Sequence, residues 1–382
     1  MSVKHGKKIL ILAFSYLNRD SRVSRQIKFI KDEYDVTALG YSRPEIDNVD
    51  FIQTEYHPKS LTDKILLAVK LKTGDFERIY WSDPIIESAK GKLKGRHFDL
   101  VIANDIEALP LAQSVCQETG AKLFVDAHEY KPREYDDKFL FRLLFQSYWD
   151  YVCKTYLPRA DAITTVCESI AKEYSTHYGV HCTEINNTPF FEDLGPSQVN
   201  GNIIRMIHHG VTNRARKLEN MIVLMDQLDE RFRLDFMLVN NSPRYAAKLQ
   251  RMAKKRARIN FVKPVQLLDI VSTLNKHDIG LFLLGPAGFN YRMSLPNKFF
   301  EFIQARLAVA IWPSPEMARI LKKYQCGVVS DEFSIRSMAK TLNNLSSEDI
   351  MEFKQSSHKA ASELCAEKNK ETVLSIVRNL IG

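Results

Sequence analysis

The segment SLPNKFFEFIQARLAVAIWPSPEMARIL, Ser294 to Leu321, carries the residue types best placed to do chemistry in this chain. A polar loop with Ser294, Pro296, Asn297 and Lys298 runs into a helix that ends near Arg306, with Glu301 in its first turn. The apolar run Leu307 to Trp312 follows as a buried strand. A helix N-terminus presents unpaired N–H groups and the positive end of a dipole, so it suits an anion such as a diphosphate. A carboxylate one turn in accepts two hydroxyl hydrogen bonds from a ribose, or in an ordinary amphipathic helix it caps the helix or is solvated.

Four other polar clusters follow apolar runs. In HHGVTNRARKLENM a strand ends at Gly210, and Arg214, Arg216 and Lys217 precede a helix. Cations beside a helix start form a diphosphate clamp or a solvated group. In GPAGFNYRMSLPNK, Gly285 and Gly288 allow close approach of the backbone, and Asn290 lies in the same loop. In DAHEYKPRE, Asp126, His128 and Glu129 crowd the end of a strand, and histidine exchanges or shares protons near neutral pH. In NDIEALPLA, Asn104 and Asp105 stand at a strand end, as ligand contacts or as caps of the next helix. The first such loop, FSYLNRDSRVSR, lacks GxGxxG and so carries no dinucleotide fingerprint. Asp20 or Ser21 caps the helix after it, and Arg22 and Arg25 bind an anionic acceptor or face solvent.

These loops need a scaffold of alternating strands and helices, which the chain supplies. KKILILAF, YDVTALGY, DLVIAND, AKLFVDAHE and ADAITTVC read as strands separated by helical patterns, so the fold class is α/β with parallel sheets covered on both faces. The pattern restarts with IIRMIHHG, RFRLDFMLVN, RINFVKPV and HDIGLFLLG. Two doubly wound units are expected: residues 1–190 and 203–360, with a Pro-, Gly- and Asn-rich linker at 191–202 and a last helix at 361–382 packing back on the first unit. Ligands then belong outside the carboxyl ends of the strands, in the cleft between the units. One long aromatic-rich helix is expected from Phe139 to Leu157, as a buried core helix or a membrane-surface helix.

Composition narrows the class. A hydrophobic share of 45% with 26% charged residues is that of a globular protein with a sizeable core. No run reaches the roughly 18 apolar residues that span a bilayer, and Ile9 to Phe14 is too short for a signal peptide, so a cytoplasmic protein is expected. Six cysteines without CxxC spacing indicate neither a zinc site nor a disulfide framework. The net charge of +8 gathers in places such as Lys248 to Arg258, as a solvated face or a surface for anionic lipid. No recognisable nucleic-acid motif accompanies it, so nucleic acid is not an expected partner.

Taken together, DSRV at Asp20, NDIEALPLA at Asn104, DAHE at Asp126, RADAITTVCESIAKEY at Arg159, the HHG and RKLEN block at His208, and SLPNKFFEFIQARLAVAIW at Ser294 resemble the GT-B glycosyltransferases, and among them glycosyltransferase family 4. The resemblance implies two Rossmann-like domains facing a cleft. The C-terminal domain would bind a UDP- or GDP-sugar and the N-terminal domain a saccharide or lipid-linked acceptor, with transfer at retained configuration and no obligatory metal or other cofactor. It implies Glu301 on the ribose, and Lys298 in a donor loop with Gly210, Asn290, Ser294, Pro296 and Asn297. It places Arg216 or Lys217 on the diphosphate and His128 near the transferred sugar, with Asp20, Arg22, Asn104, Asp105 and Glu129 on the acceptor side. Surface polysaccharide or glycolipid assembly at the inner face of the plasma membrane is the implied setting. One departure stands out: family members often carry a first glutamate eight residues before the second, and here that position is Met293. A nucleotide-sugar epimerase of the same architecture, and a degenerate protein that only binds a nucleotide or a partner, are the competing readings.

Overall fold

The computed structural model describes residues 6–58 and 60–382. The chain divides into two units: residues through Asn186 with Asn369–Gly382, and Asn187–Lys368. The stretch 191–202 lies in the second unit, where Ser197 Oγ donates to Asn275 O at 2.7 Å. The C-terminal Asn369–Gly382 returns to the first, where Arg378 Nη2 donates to both oxygens of Glu33 at 2.8 Å.

Seven parallel strands form the sheet of the first unit: β1 (Lys8–Ala13), β2 (Asp35–Gly40), β3 (Asp50–Gln53), β4 (Leu100–Asn104), β5 (Lys122–Ala127), β6 (Ala162–Thr165) and β7 (Thr183–Glu184), in the order β3-β2-β1-β4-β5-β6-β7. Helices cover both faces, so a strand such as β1 is apolar throughout rather than alternating, and Ile9, Leu10, Ile11 and Leu12 have no exposed surface. Each such side chain contributes about 1.5–3 kcal/mol on leaving water. The chain order reverses beside β1, which leaves a crevice at the carboxyl ends of β1 and β4. Register fixes what lines it: Ala13, Asn104, Asp126 and Thr164 pair in one row across the sheet.

The second unit repeats the plan with six parallel strands: β8 (Ile204–Val211), β9 (Phe232–Val239), β10 (Ile259–Val262), β11 (Ile279–Phe282), β12 (Ala308–Ile311) and β13 (Gly327–Val329). Their order is β10-β9-β8-β11-β12-β13, so the reversal falls between β8 and β11. The helix Asn297–Gln304, between β11 and β12, lies on this sheet with Phe299, Phe300, Phe302 and Ile303 fully buried. Gly280 in the middle of β11 makes that approach possible: a Cβ there would stand 2.3 Å from Cγ of Phe302.

Two expectations need correction. The helix expected from Phe139 to Leu157 is two helices, Phe139–Leu144 and Gln146–Tyr156, that turn at Phe145. The second buries Tyr148, Val152, Cys153 and Tyr156 along one face. The first is apolar nearly all round, which no single core stripe can cover, and none of its residues is buried. Glu301 is not in the first turn of its helix: the helix starts at Asn297, so Glu301 opens the second turn. Among the described residues no helix is long and apolar enough to cross a membrane.

Gly280→Ala is expected to destabilise the chain by about 1–3 kcal/mol, because the added methyl must displace Phe302 in a filled core. Thermal melting should show a fall of a few degrees, partly restored by Phe302→Leu in the same chain; an unchanged melting temperature would show that the helix does not depend on this contact.

Candidate functional site

At the carboxyl end of β8, Gly210 has φ 126°, a conformation favourable to glycine, and a Cβ there would lie 2.7 Å from Nζ of Lys298 and 3.9 Å from Nη1 of Arg216. Two cations therefore converge on one bare stretch of backbone. Lys298 is the second residue of the helix Asn297–Gln304, and only 5% of its surface is exposed. Its ammonium donates to the carbonyl of His209 at 2.6 Å and lies 4.9 Å from the centre of the Phe282 ring. Burial holds it well below the ordinary lysine value, and Arg216 pushes it further down against the pull of Glu301. Arg216 is half-buried at the end of a short 3-10 turn, and its Nε is buried without a hydrogen-bond partner.

Pro296 stands at the N-cap and offers no side-chain oxygen to the first turn of the helix, and Asn297 opens it. Ser294 and Pro296 are half-buried in the loop, and Asn290 is buried in the short helix Phe289–Arg292. One turn in, Glu301 Oε2 lies 3.2 Å from Nε2 of His209. This is no ion pair: burial first, then Lys298 and Arg216, push the His209 imidazole down to about 3. Its buried Nε2 is not in hydrogen-bonding alignment with any protein group. The site thus holds two crowded cations, the open end of a helix, a carboxylate and unsatisfied polar atoms, an arrangement that an anion with hydroxyl groups beside it would complete. Lys217, the alternative to Arg216, has φ 47° and is exposed, so the backbone turns its side chain away.

The first unit resolves its charges internally. Asp20 caps the helix Ser21–Ile30, accepting from the N–H of Arg22 at 3.2 Å and of Val23 at 3.1 Å. Arg22, expected on an anionic acceptor or in solvent, is instead buried. Its Nε and Nη2 donate to the two oxygens of Asp126 at 2.8 and 2.6 Å, and Nη1 to Ile185 O at 3.0 Å. Thr164 Oγ1 adds a third donor to Asp126 at 2.7 Å. Burial would raise the Asp126 carboxyl, but Arg22 and His128 outweigh it and hold the group far below the usual carboxylate range.

His128 follows β5 and lies among acids. Its Nδ1 is 3.2 Å from Asp105 Oδ2, and its Nε2 is 3.3 Å from Asn104 Oδ1 and 3.5 Å from Asp126 Oδ2. Burial lowers its pKa, yet Asp105 and Asp126 raise it more, up to about 10. The ring is an imidazolium at neutral pH, with both nitrogens donating, and is not a free base. Asp105, at φ 66°, also accepts from the N–H of His128 at 2.9 Å, and Asn104 donates to Gln26 Oε1 at 2.9 Å. Glu129 is exposed. The structure brings together Asn104, Asp105, His128 and Arg22, with Asp126, which the sequence names only as one of three polar groups at a strand end, as their hub.

No protein-family model and no curated protein matches the chain. Solved structures do. Sucrose-phosphate synthase from Thermosynechococcus elongatus superposes with a TM-score of 0.76 at 10% identity, covering 98% of this chain and 99% of that one. HepE from Anabaena, in complex with UDP-glucose, gives 0.71 at 12% identity over 98% and 100%. WaaG, a glycosyltransferase involved in lipopolysaccharide biosynthesis, gives 0.66 at 13% identity over 96% and 99%. The fold is GT-B, with two parallel α/β sheets.

Two measurements test the charge pattern. Asp126→Asn leaves Arg22 buried beside a neutral amide and should cost about 3–5 kcal/mol in urea unfolding; a loss under 1 kcal/mol would remove the pair from its central place. The His128 pKa is raised from 6.5 to about 10 in the folded chain, so its contribution to stability is complete below pH 6.5 and lost as pH rises through 10. The melting temperature should fall over that window in the wild type, and this part of the fall should vanish in His128→Gln.

Proposed function

We propose that this protein is a glycosyltransferase that moves a sugar from a UDP- or GDP-sugar to a hydroxyl acceptor with retention of configuration. The observation that carries the reading is the convergence of Lys298 and Arg216 on Gly210 at the open end of a helix, with Glu301 one turn further in. A diphosphate is the anion that fits: its oxygens take the helix N–H groups and both cations, and the ribose attached to it reaches Glu301. The UDP-glucose complex of HepE, a chain of the same fold, supports a donor of this class.

As the glycosidic bond breaks, charge builds on the departing diphosphate, and Lys298 and Arg216 are already in place to meet it. The countercharge comes from these side chains, and no metal is called for in this reading. The acceptor hydroxyl attacks from the face that the diphosphate leaves, and the leaving phosphate takes the hydroxyl proton. His128, as an imidazolium, is a hydrogen-bond donor in this reading and not the base. Met293 stands where the related enzymes often have a carboxylate, which favours the binding-only alternative. Incubation with a panel of nucleotide sugars separates the readings: a new glycoside, an isomerised donor, or binding alone.

A membrane-bound acceptor fits the surface of the first unit. Ile65, Leu66 and Val69 on the helix Leu61–Thr73, and Phe139, Leu140 and Leu143 on Phe139–Leu144, are all more than half exposed. Lys64, Lys70 and Arg142 are exposed on the same two helices, and Lys138 at the N-cap of the second. Apolar side chains flanked by cations suit an anionic bilayer surface.

Lys298→Ala is expected to lower kcat/KM for transfer by about 10²–10³, the loss typical of one donor that faces developing charge; undiminished turnover would remove the clamp from the mechanism. The chain should float with vesicles rich in anionic lipid and be released at high salt, and Leu140→Asp with Leu143→Asp should abolish flotation. An absence of flotation at low salt would end the membrane assignment.

A further inference from the structure

The first unit contains a cavity of about 220 Å³ whose lining differs in kind from the site on the second unit. Its walls include Phe14, Tyr41, Leu67, Tyr148 and Trp149, and its acidic members are Asp83 and Glu107. Phe14 follows β1, Tyr41 follows β2 and Glu107 lies three residues past β4, so the cavity opens at the carboxyl ends of these strands, where a parallel α/β sheet holds its ligands. Among the described residues no lysine, arginine or histidine lines it. A cation beside it is already engaged: Lys131 pairs with Glu107 Oε1 and with Glu134, and sits 4.9 Å from the centre of the Trp149 ring.

The other oxygen of Glu107, Oε2, is buried and has no hydrogen-bond partner. A buried carboxylate oxygen in that state costs free energy until a donor reaches it. Burial followed by the nearby Asp83 pushes the Tyr41 phenol up to about 12, so Tyr41 stays a hydrogen-bond donor at neutral pH. The volume is that of one ring-sized group, since a cavity of about 150 Å³ takes a benzene. A hydrocarbon chain would fill the space and leave the Glu107 oxygen unsatisfied. An anion would meet Asp83 and Glu107, with Lys131, the cation on Glu107, shared with Glu134.

We infer that this cavity is the acceptor subsite and that it takes an uncharged, hydroxyl-bearing ring, a neutral pyranose, with its apolar face on the aromatic walls and a hydroxyl donating to Glu107 Oε2. The assignment of an acceptor rests on the glycosyltransferase reading, whereas the ligand class rests on the lining alone. A sugar phosphate is excluded from this pocket by its charge.

Saturation-transfer NMR on the full chain, with no donor present, tests the inference. Methyl α-glucopyranoside and methyl α-galactopyranoside are the neutral probes, glucose 6-phosphate the charged one and hexanol the apolar one. At least one methyl glycoside should bind saturably, and glucose 6-phosphate should bind at least tenfold more weakly. Glu107→Gln should weaken the glycoside about tenfold, and Leu67→Trp, at a half-buried lining position, should fill the cavity and abolish binding with the fold intact by circular dichroism. Equal binding of glucose 6-phosphate, a preference for hexanol, or glycoside binding that survives Leu67→Trp would overturn the inference. A parallel titration with UDP keeps the two claims apart: UDP binding without glycoside binding sinks the subsite alone, and the reverse sinks the donor site alone.

Discussion

A buried ammonium beside a guanidinium is an expensive arrangement, and the second unit is built around one. Lys298 has a carbonyl for its hydrogen bond, Arg216 for a neighbour and Glu301 as its nearest compensation. The sheet does not relieve this crowding. It enforces it, because Phe302 packed over Gly280 holds the helix against the sheet. Such a site is preorganised for an anion: the cost of gathering the charges is met in folding, and on the proposed reading a diphosphate would find them in place.

The first unit has the same topology and the opposite electrostatics. There the arginine at the start of the first helix is closed by Asp126, and the histidine after β5 is closed by Asp105 and Asp126. Among the described residues no cation lines its cavity, and a carboxylate oxygen is the group left wanting. One half of the chain therefore awaits negative charge and the other a hydroxyl donor. On the proposed reading, a donor diphosphate and a neutral acceptor would then not compete for one pocket.

Much of the fold was legible because buried parallel strands leave continuous apolar runs, as in ILILA and LVIAN, with polar loops at their carboxyl ends. The positions of Lys298, Arg216 and Gly210 followed from strand–loop–helix order. What stayed hidden was set by tertiary contact. Arg22 reads as a surface cation, and only the register that places Asp126 on the neighbouring row turns it into a buried partner. Arg216 and Lys217 are equivalent in sequence, and the left-handed turn at Lys217 separates them. His209 acts through its carbonyl, which no side-chain pattern reveals. The break at Phe145 was invisible because no glycine or proline marks it.

The central claim is that Lys298 and Arg216 together hold a diphosphate at the start of the helix Asn297–Gln304. Isothermal titration of UDP into the wild type and into Lys298→Met, which keeps the length of the side chain and removes its charge, reads this directly. The account predicts UDP binding to the wild type that is about tenfold or more weaker in the variant. No binding to the wild type, or equal affinity in the variant, would contradict it.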